Sequence, residues 1–147
     1  MQDILTCAMG LDVHRDIIVA CLVKGAVDAE PEAETRTFST LIPEMQKLRD
    51  WVIEAECRNI AMESTGIYWQ PIYEMLESCF DGEVSILVVN ARHMKNVPGR
   101  KTDMKDAQWI ATLLRAGLLK GSFIPDKTFR ELRHLTRYRK SVVHDIT

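Results

Sequence analysis

The stretch from Thr6 to Val23, TCAMGLDVHRDIIVACLV, decides the fold. Two short apolar runs, Thr6 to Val13 and Ile17 to Val23, flank the polar residues His14, Arg15 and Asp16, and this arrangement predicts a β-hairpin. Side chains alternate along a strand, so Asp12 shares a face with Ala8 and Gly10 while Met9, Leu11 and Val13 point the other way. The small neighbours leave space beside the Asp12 carboxylate.

Downstream, Gly25, Asp28 and Pro31 mark a polar connection, and Thr35 to Ser39 predicts a third, edge strand. Ile42, Met45, Leu48, Val52 and Ile53 recur at helical spacing, with Thr40 placed to cap and Glu44 in the first turn, so a helix ending near Glu56 is expected. Asn59 to Met62 reads as a strand running into Glu63, Ser64, Thr65 and Gly66. Helical period returns from Tyr68 to Cys79, with Pro71 in the first turn, where it is tolerated. Val84 to Val89 is continuously apolar, the pattern of a strand buried on both faces. A basic loop from Asn90 to Lys101 leads to a helix expected from about Asp103 to Leu114, with Ala107, Ile110, Ala111 and Leu114 on one face and Gly117 and Gly121 closing it. Phe129 to Thr147 reads as a basic helix. Three strands followed by helix, strand, helix, strand and helix describe an α/β protein with a mixed sheet of the RNase H-like type, flanked by helices. Residues 1–125 form the expected domain, and 126–147 the start of a basic helical connector.

The chain has 147 residues, 46% of them apolar and 27% charged, which suits one globular domain with a sizeable core. No apolar run approaches the ~20 residues of a membrane span, and residues 1–10 lack the marks of a signal peptide, so a cytoplasmic, non-membrane protein is expected. Cys7, Cys21, Cys57 and Cys79 show no short paired spacing and are expected to be reduced core thiols.

A net charge of −2 hides an asymmetry. Residues 1–90 carry 6 Lys and Arg against 16 Asp and Glu, whereas residues 91–147 carry 13 against 5. The basic residues fall in two clusters, Arg92, His93, Lys95, Arg100 and Lys101, then Arg130, Arg133, Arg137, Arg139 and Lys140. Arginine predominates, and its planar fork suits bidentate phosphate contact, so both clusters are candidate nucleic-acid contacts.

Against this background stand four acids. A lone aspartate at a strand end is ordinarily a turn former. Asp12 and Glu63 each end a strand, however, and Asp103 and Asp106 lie three apart at an expected helix start, in line with the stripe that must pack on the sheet. The bland account of the latter pair is that they complement the helix N-terminus, with Thr102 or Asp103 as cap. Two carboxylates about 4 Å apart repel by roughly 4 kcal/mol at an effective dielectric of about 20. Four in one pocket therefore require protons or a cation, and all-oxygen ligands select Mg²⁺ or Mn²⁺.

Three segments carry a resemblance: Gly-Leu-Asp-Val-His (10–14), Met-Glu-Ser-Thr-Gly-Ile-Tyr-Trp (62–69) and Val-Pro-Gly-Arg-Lys-Thr-Asp-Met-Lys-Asp-Ala (97–107). With Leu-Leu-Arg-Ala-Gly-Leu-Leu (113–119) and Arg-Glu-Leu-Arg-His-Leu-Thr-Arg-Tyr-Arg (130–139), they resemble the N-terminal half of a DEDD transposase of insertion-sequence family one-hundred-and-ten, related to the Piv DNA invertases. The resemblance implies a RuvC-like domain with Asp12, Glu63, Asp103 and Asp106 as its metal-binding and catalytic tetrad. It implies DNA strand cleavage and exchange in transposition, a structured guide (bridge) RNA, and a homo-oligomer, dimer or tetramer. Members of the family add a coiled coil and a second domain bearing a serine nucleophile. This chain is expected to stop where the coiled coil begins, so neither Ser64 nor Ser141 takes the serine's role, and the domain by itself is expected to be metal-competent without complete recombination activity.

Two other classes compete. A non-catalytic nucleic-acid-binding or dimerisation module would use the acids only to tune charge. An actin-like ATPase fragment also opens with a strand, an Asp and a hairpin, but it requires glycine-rich phosphate loops that this sequence lacks. Of the remaining residues, Tyr68 and Trp69 read as core aromatics before they read as base-stacking groups, His14 as a structural or exposed turn residue, and Gly66 and Gly99 as turn formers.

Overall fold

The hairpin forms as a long antiparallel ladder: β1, Cys7–Val13, pairs with β2, Ile17–Lys24, from Cys7 opposite Lys24 to Val13 opposite Ile18. This computed structural model describes residues 4–64, 66–90, 94 and 104–119. The edge strand β3, Glu32–Ser39, is longer than its apolar content suggests, because Glu32, Ala33 and Glu34 continue the pairing with β2. Backbone hydrogen bonding to a buried strand overrides weak strand propensity there, and the charged, exposed side chains suit an edge.

Helix α1 spans Ile42–Glu54 and is capped by Leu41 rather than Thr40, with Pro43 in its first turn. The Thr40 hydroxyl instead donates to the Arg15 carbonyl at 2.8 Å, tying the hairpin tip to the helix entrance. β4, Asn59–Ser64, lies parallel to β1. α2, Trp69–Glu77, stops earlier than its apolar period implies, because Phe80 and Asp81 adopt φ near +53° and turn the backbone out of the helix through a short 3₁₀ segment, Cys79–Gly82. β5, Ser85–Val89, is parallel to β4 and completes a five-stranded mixed sheet of order β3-β2-β1-β4-β5. It was expected to be buried on both faces. Only Val88 and Val89 are buried, because β5 is the edge of the described sheet; Ile86 and Leu87 are partly buried against the core on either face.

The last described helix, α3, spans Asp106–Arg115, with Lys105 in extended conformation as its cap. The expected stripe is buried: Ala107, Ile110, Ala111 and Leu114 all lie against the sheet. The start at Asp106 is later than the expected Asp103, which itself lies outside the described residues. The chain leaves α3 through Ala116 and the left-handed Gly117, whose φ of +72° an L side chain rarely adopts. The expected basic helix of residues 126–147 lies outside the described residues.

The sheet thus has two unlike faces. Met9, Leu11, Val13, Ile18, Ile60 and Met62 pack with α1 and α2 in the main core. On the other face Ala8, Ala61, Val89, Cys21 and Val23 pack against α3.

Candidate active site

Gly10 explains how the α3 face is built. A Cβ at Gly10 would collide with the backbone oxygen of Ala107 and the backbone nitrogen of Ala111, so only glycine lets α3 lie this close to the middle strand. The space that the sequence suggested beside Asp12 is therefore partly taken by the helix. At its far end, the Arg115 carbonyl accepts from the amides of Ile4 and Leu5. Buried Arg115 also donates from Nε to the Leu5 carbonyl at 3.0 Å, and from a terminal guanidinium nitrogen to those of Gly25 and Ala26 at 3.1 and 2.6 Å. With Arg115 at the beginning of β1 and Ala107 over Gly10, α3 runs antiparallel to β1. Its N-terminus, and with it Asp106, is directed toward the strand end that carries Asp12.

Asp12 and Glu63 are register partners across the parallel β1–β4 pair. Neighbouring strands stand about 4.8 Å apart, and facing residues project from the same side of the sheet. Glu63 follows Ala61 by two residues, so both acids share the α3 face. They sit at the carboxyl ends of the two parallel strands, where the chain crosses from β3 on one side of β1 through α1 to β4 on the other, the kind of position at which open α/β sheets hold ligands. Carboxylates about 5 Å apart repel by about 3 kcal/mol at an effective dielectric of about 20. Two features offset this. The His14 Nε2 stands 3.0 Å from Asp12 Oδ2, and the positive end of the α3 dipole is directed at the same end of the sheet. Asp12 is mostly covered, with 17% of its side chain exposed, and Glu63 is half-buried.

Of the four sequence-predicted acids, the fold sets Asp12 and Glu63 face to face and puts Asp106, exposed, on the first turn of α3. Asp103 lies outside the described residues. So do all the predicted nucleic-acid contacts: Arg92, Lys95, Arg100, Lys101, Arg130, Arg133, Arg137, Arg139 and Lys140. Ser64 is the register partner of Val13 and alternates onto the opposite side of the sheet from Glu63. His14, expected as a structural or exposed turn residue, is exposed just past the end of β1, with its Nε2 beside Asp12 Oδ2. Tyr68 is exposed and lines a cavity of about 400 Å³ with Arg15, Thr40, Met45, Ile67 and Pro71. Trp69, by contrast, packs edge-on against Tyr73 with ring centroids 5.5 Å apart, as a core aromatic does.

The donor chemistry at the strand ends is that of hard oxygen ligands, which suits Mg²⁺ or Mn²⁺. Among the described residues, no group of three or more His, Cys, Asp or Glu side chains stands close enough to hold a metal ion. The described acids supply a facing pair and a third carboxylate on the adjoining helix, not a closed coordination shell.

The family profile described as a transposase, that of the DEDD transposases of insertion-sequence family one-hundred-and-ten, matches residues 9–147. The chain belongs to this transposase family. No curated protein matches its sequence. Among solved structures, the transposase chain is similar to Thermus thermophilus RuvC, with 12% identity, a TM-score of 0.54, and coverage of 79% of this chain and 99% of that one. It is also similar to T. thermophilus RuvC in complex with a Holliday junction substrate, with 13% identity, a TM-score of 0.52, and coverage of 80% and 100%. At this identity the likeness concerns the fold: the transposase domain is RuvC-like and therefore RNase H-like. No helix among its described residues is long and apolar enough to cross a membrane.

Proposed function

We propose that this transposase domain takes part in DNA strand cleavage and exchange by holding a divalent cation, Mg²⁺ or Mn²⁺, with Asp12, Glu63, Asp103 and Asp106. The single observation that carries this reading is the pairing of Asp12 with Glu63 in register on the parallel strands β1 and β4. Folding places two like charges from distant parts of the chain side by side on the face that α3 covers. An arrangement that works against stability is understandable where a cation is to be received. When bound, the cation supplies Lewis-acid activation of a phosphodiester and of the attacking oxygen.

The chain's own residues have separate tasks. The Asp12–Glu63 pair fixes the seat, Gly10 sets how near α3 can bring Asp106, and the N-terminal dipole of α3 favours anionic groups at the rim. Arg92, Lys95, Arg100 and Lys101, which directly precede Asp103 in sequence, contact nucleic-acid phosphate. Arg130, Arg133, Arg137, Arg139 and Lys140 extend that contact along the connector of residues 126–147. DNA is the substrate, a structured guide RNA the second nucleic-acid partner, and a homo-oligomer the working form. DNA as substrate is supported by family membership and by the junction DNA in the complex of the structurally similar RuvC.

Thermal melting with and without Mn²⁺ tests the reading. The cation should raise the melting temperature of the wild-type chain, and Glu63→Gln or Asp106→Asn should abolish that gain. A second reading, a non-catalytic nucleic-acid-binding or dimerisation module, is favoured by the lack of three convergent donors among the described residues. An unchanged melting curve, with nucleic-acid binding retained, would decide for it.

A further inference from the structure

We propose that the outer part of the sheet, where β2 and β3 extend past the cover of α3, is a shelf that carries the DNA backbone away from the acid pair, with the Thr37 hydroxyl as a phosphate contact. The inference rests on the reading that a DNA strand is held at Asp12 and Glu63, and it extends that reading to a surface built by other strands.

Register defines the shelf. Glu63 lies opposite Asp12, Asp12 opposite Val19, and Val19 opposite Thr37, so the four form one transverse row across β4, β1, β2 and β3. Directly paired residues project from the same side of a sheet. On that side of β2, Cys21 and Val23 pack on Ala107 and Ala111 of α3, and the cover ends at Val19, which is only partly buried. Thr35 and Thr37 are exposed. One step toward the hairpin tip, Ile17 lies opposite Ser39 and is exposed as well. Two strand spacings, about 10 Å, separate Asp12 from Thr37. One strand of a duplex advances about 3.4 Å per nucleotide, so a phosphate at the acids and one at Thr37 are about three nucleotides apart. β3 is the edge of the described sheet, and no further strand stands in the way of the departing backbone there.

The charges of β3 are sorted between its two sides. Glu32, Glu34 and Arg36 alternate with the core residue Phe38 on the α1 side, where Arg36 lies 3.2 Å from Glu34 and its guanidinium covers the Trp51 ring at 4.3 Å. Ala33, Thr35, Thr37 and Ser39 occupy the side that the acid pair shares. Strand propensity accounts for threonine on β3, but edge strands ordinarily carry charge on their solvated side, and here that side has none. Residues 1–90 hold 16 acidic against 6 basic side chains, so an incoming polyanion meets repulsion over much of this part of the chain. The shelf is an uncharged way to the acids. Ser39 Oγ accepts from the Leu41 amide at 3.3 Å and so belongs to the turn into α1. The Thr37 hydroxyl has no hydrogen-bond partner among the described residues and is the donor that faces solvent. Serine and threonine hydroxyls are ordinary phosphate contacts, which position a backbone without reading its sequence.

The test uses the whole chain with a fluorescein-labelled DNA duplex in EDTA, so that no cation enters the result. A photo-crosslinking side chain, p-benzoylphenylalanine, is placed at Thr37 or, on the opposite side of the same strand, at Glu34. Irradiation should join DNA to position 37 with at least fivefold higher yield than to position 34. In fluorescence anisotropy, Thr37→Glu should weaken binding at least fivefold, and Thr37→Lys should steepen the log–log salt dependence by about 0.9, the increment for one added phosphate contact. Glu34→Lys should leave that slope unchanged. Equal crosslinking from the two positions, no DNA crosslink from position 37, or equal steepening by Thr37→Lys and Glu34→Lys would overturn the proposal. A crosslink from position 37 only to a second copy of the chain would overturn it too and make the β3 edge a protein interface. Melting in Mn²⁺ keeps the two readings apart: a crosslink without a Mn²⁺ response sinks the cation site alone, and a Mn²⁺ response without the crosslink sinks the shelf alone.

Discussion

The two faces of the sheet solve the packing problem in opposite ways. Toward α1 and α2, the middle strands present Met9, Leu11, Ile60 and Met62, all wholly buried, and the layer is held by bulk apolar contact. Toward α3, the same strands present Ala8, Gly10 and Ala61, and then Asp12 and Glu63. Small residues bring a helix close; large ones hold it at a distance. The close face is where a helix N-terminus can be brought to a pair of strand-end carboxylates, and the distant face holds the larger apolar cluster.

This contrast can be broken most directly at Gly10. Gly10→Val drives a branched side chain into the backbone of Ala107 and Ala111, which has no rotamer to yield, so the unfolding free energy should fall by more than about 3 kcal/mol in urea titration. A loss below about 1 kcal/mol would mean that α3 tolerates being lifted. On the other face Leu11→Ala should cost about 3 kcal/mol through lost transfer energy and the cavity left behind, with α3 and its acids undisturbed. Hydrogen exchange distinguishes the two variants: the first should deprotect α3 amides before the rest, and the second the whole sheet together.

Arg115→Met sharpens the same comparison at the far end of α3. It leaves the carbonyls of Leu5, Gly25 and Ala26 without the guanidinium, and about 2 kcal/mol should be lost, with fraying of the segment before β1. The smallest effect belongs to the exposed tie between the hairpin and α1. Thr40→Val removes one hydrogen bond to the Arg15 carbonyl and should cost about 0.5 kcal/mol, visible as a small shift in the urea midpoint.

The succession of strands and helices was written in local pattern. The hairpin around His14, Arg15 and Asp16, the apolar period of α1, and the stripe Ala107, Ile110, Ala111 and Leu114 follow from alternation and helical spacing, because each element must bury one face. Ends of elements were less legible. α2 stops when Phe80 and Asp81 turn left-handed, and α3 starts at Asp106 because Lys105 is extended; neither residue type announces that conformation. The candidate site divides similarly. The sequence singled out Asp12 and Glu63 as strand-end acids, and family resemblance named their role, but no local rule says that residue 12 lies opposite residue 63.

By itself, then, the sequence determined the fold class, the family and the identity of the candidate acids, since periodicity and motif are properties of neighbouring residues. Only the tertiary structure decided the register of β1 with β4 and the seating of α3 on Gly10. Those depend on contacts between distant segments, whose geometry is set by the packing of the whole sheet.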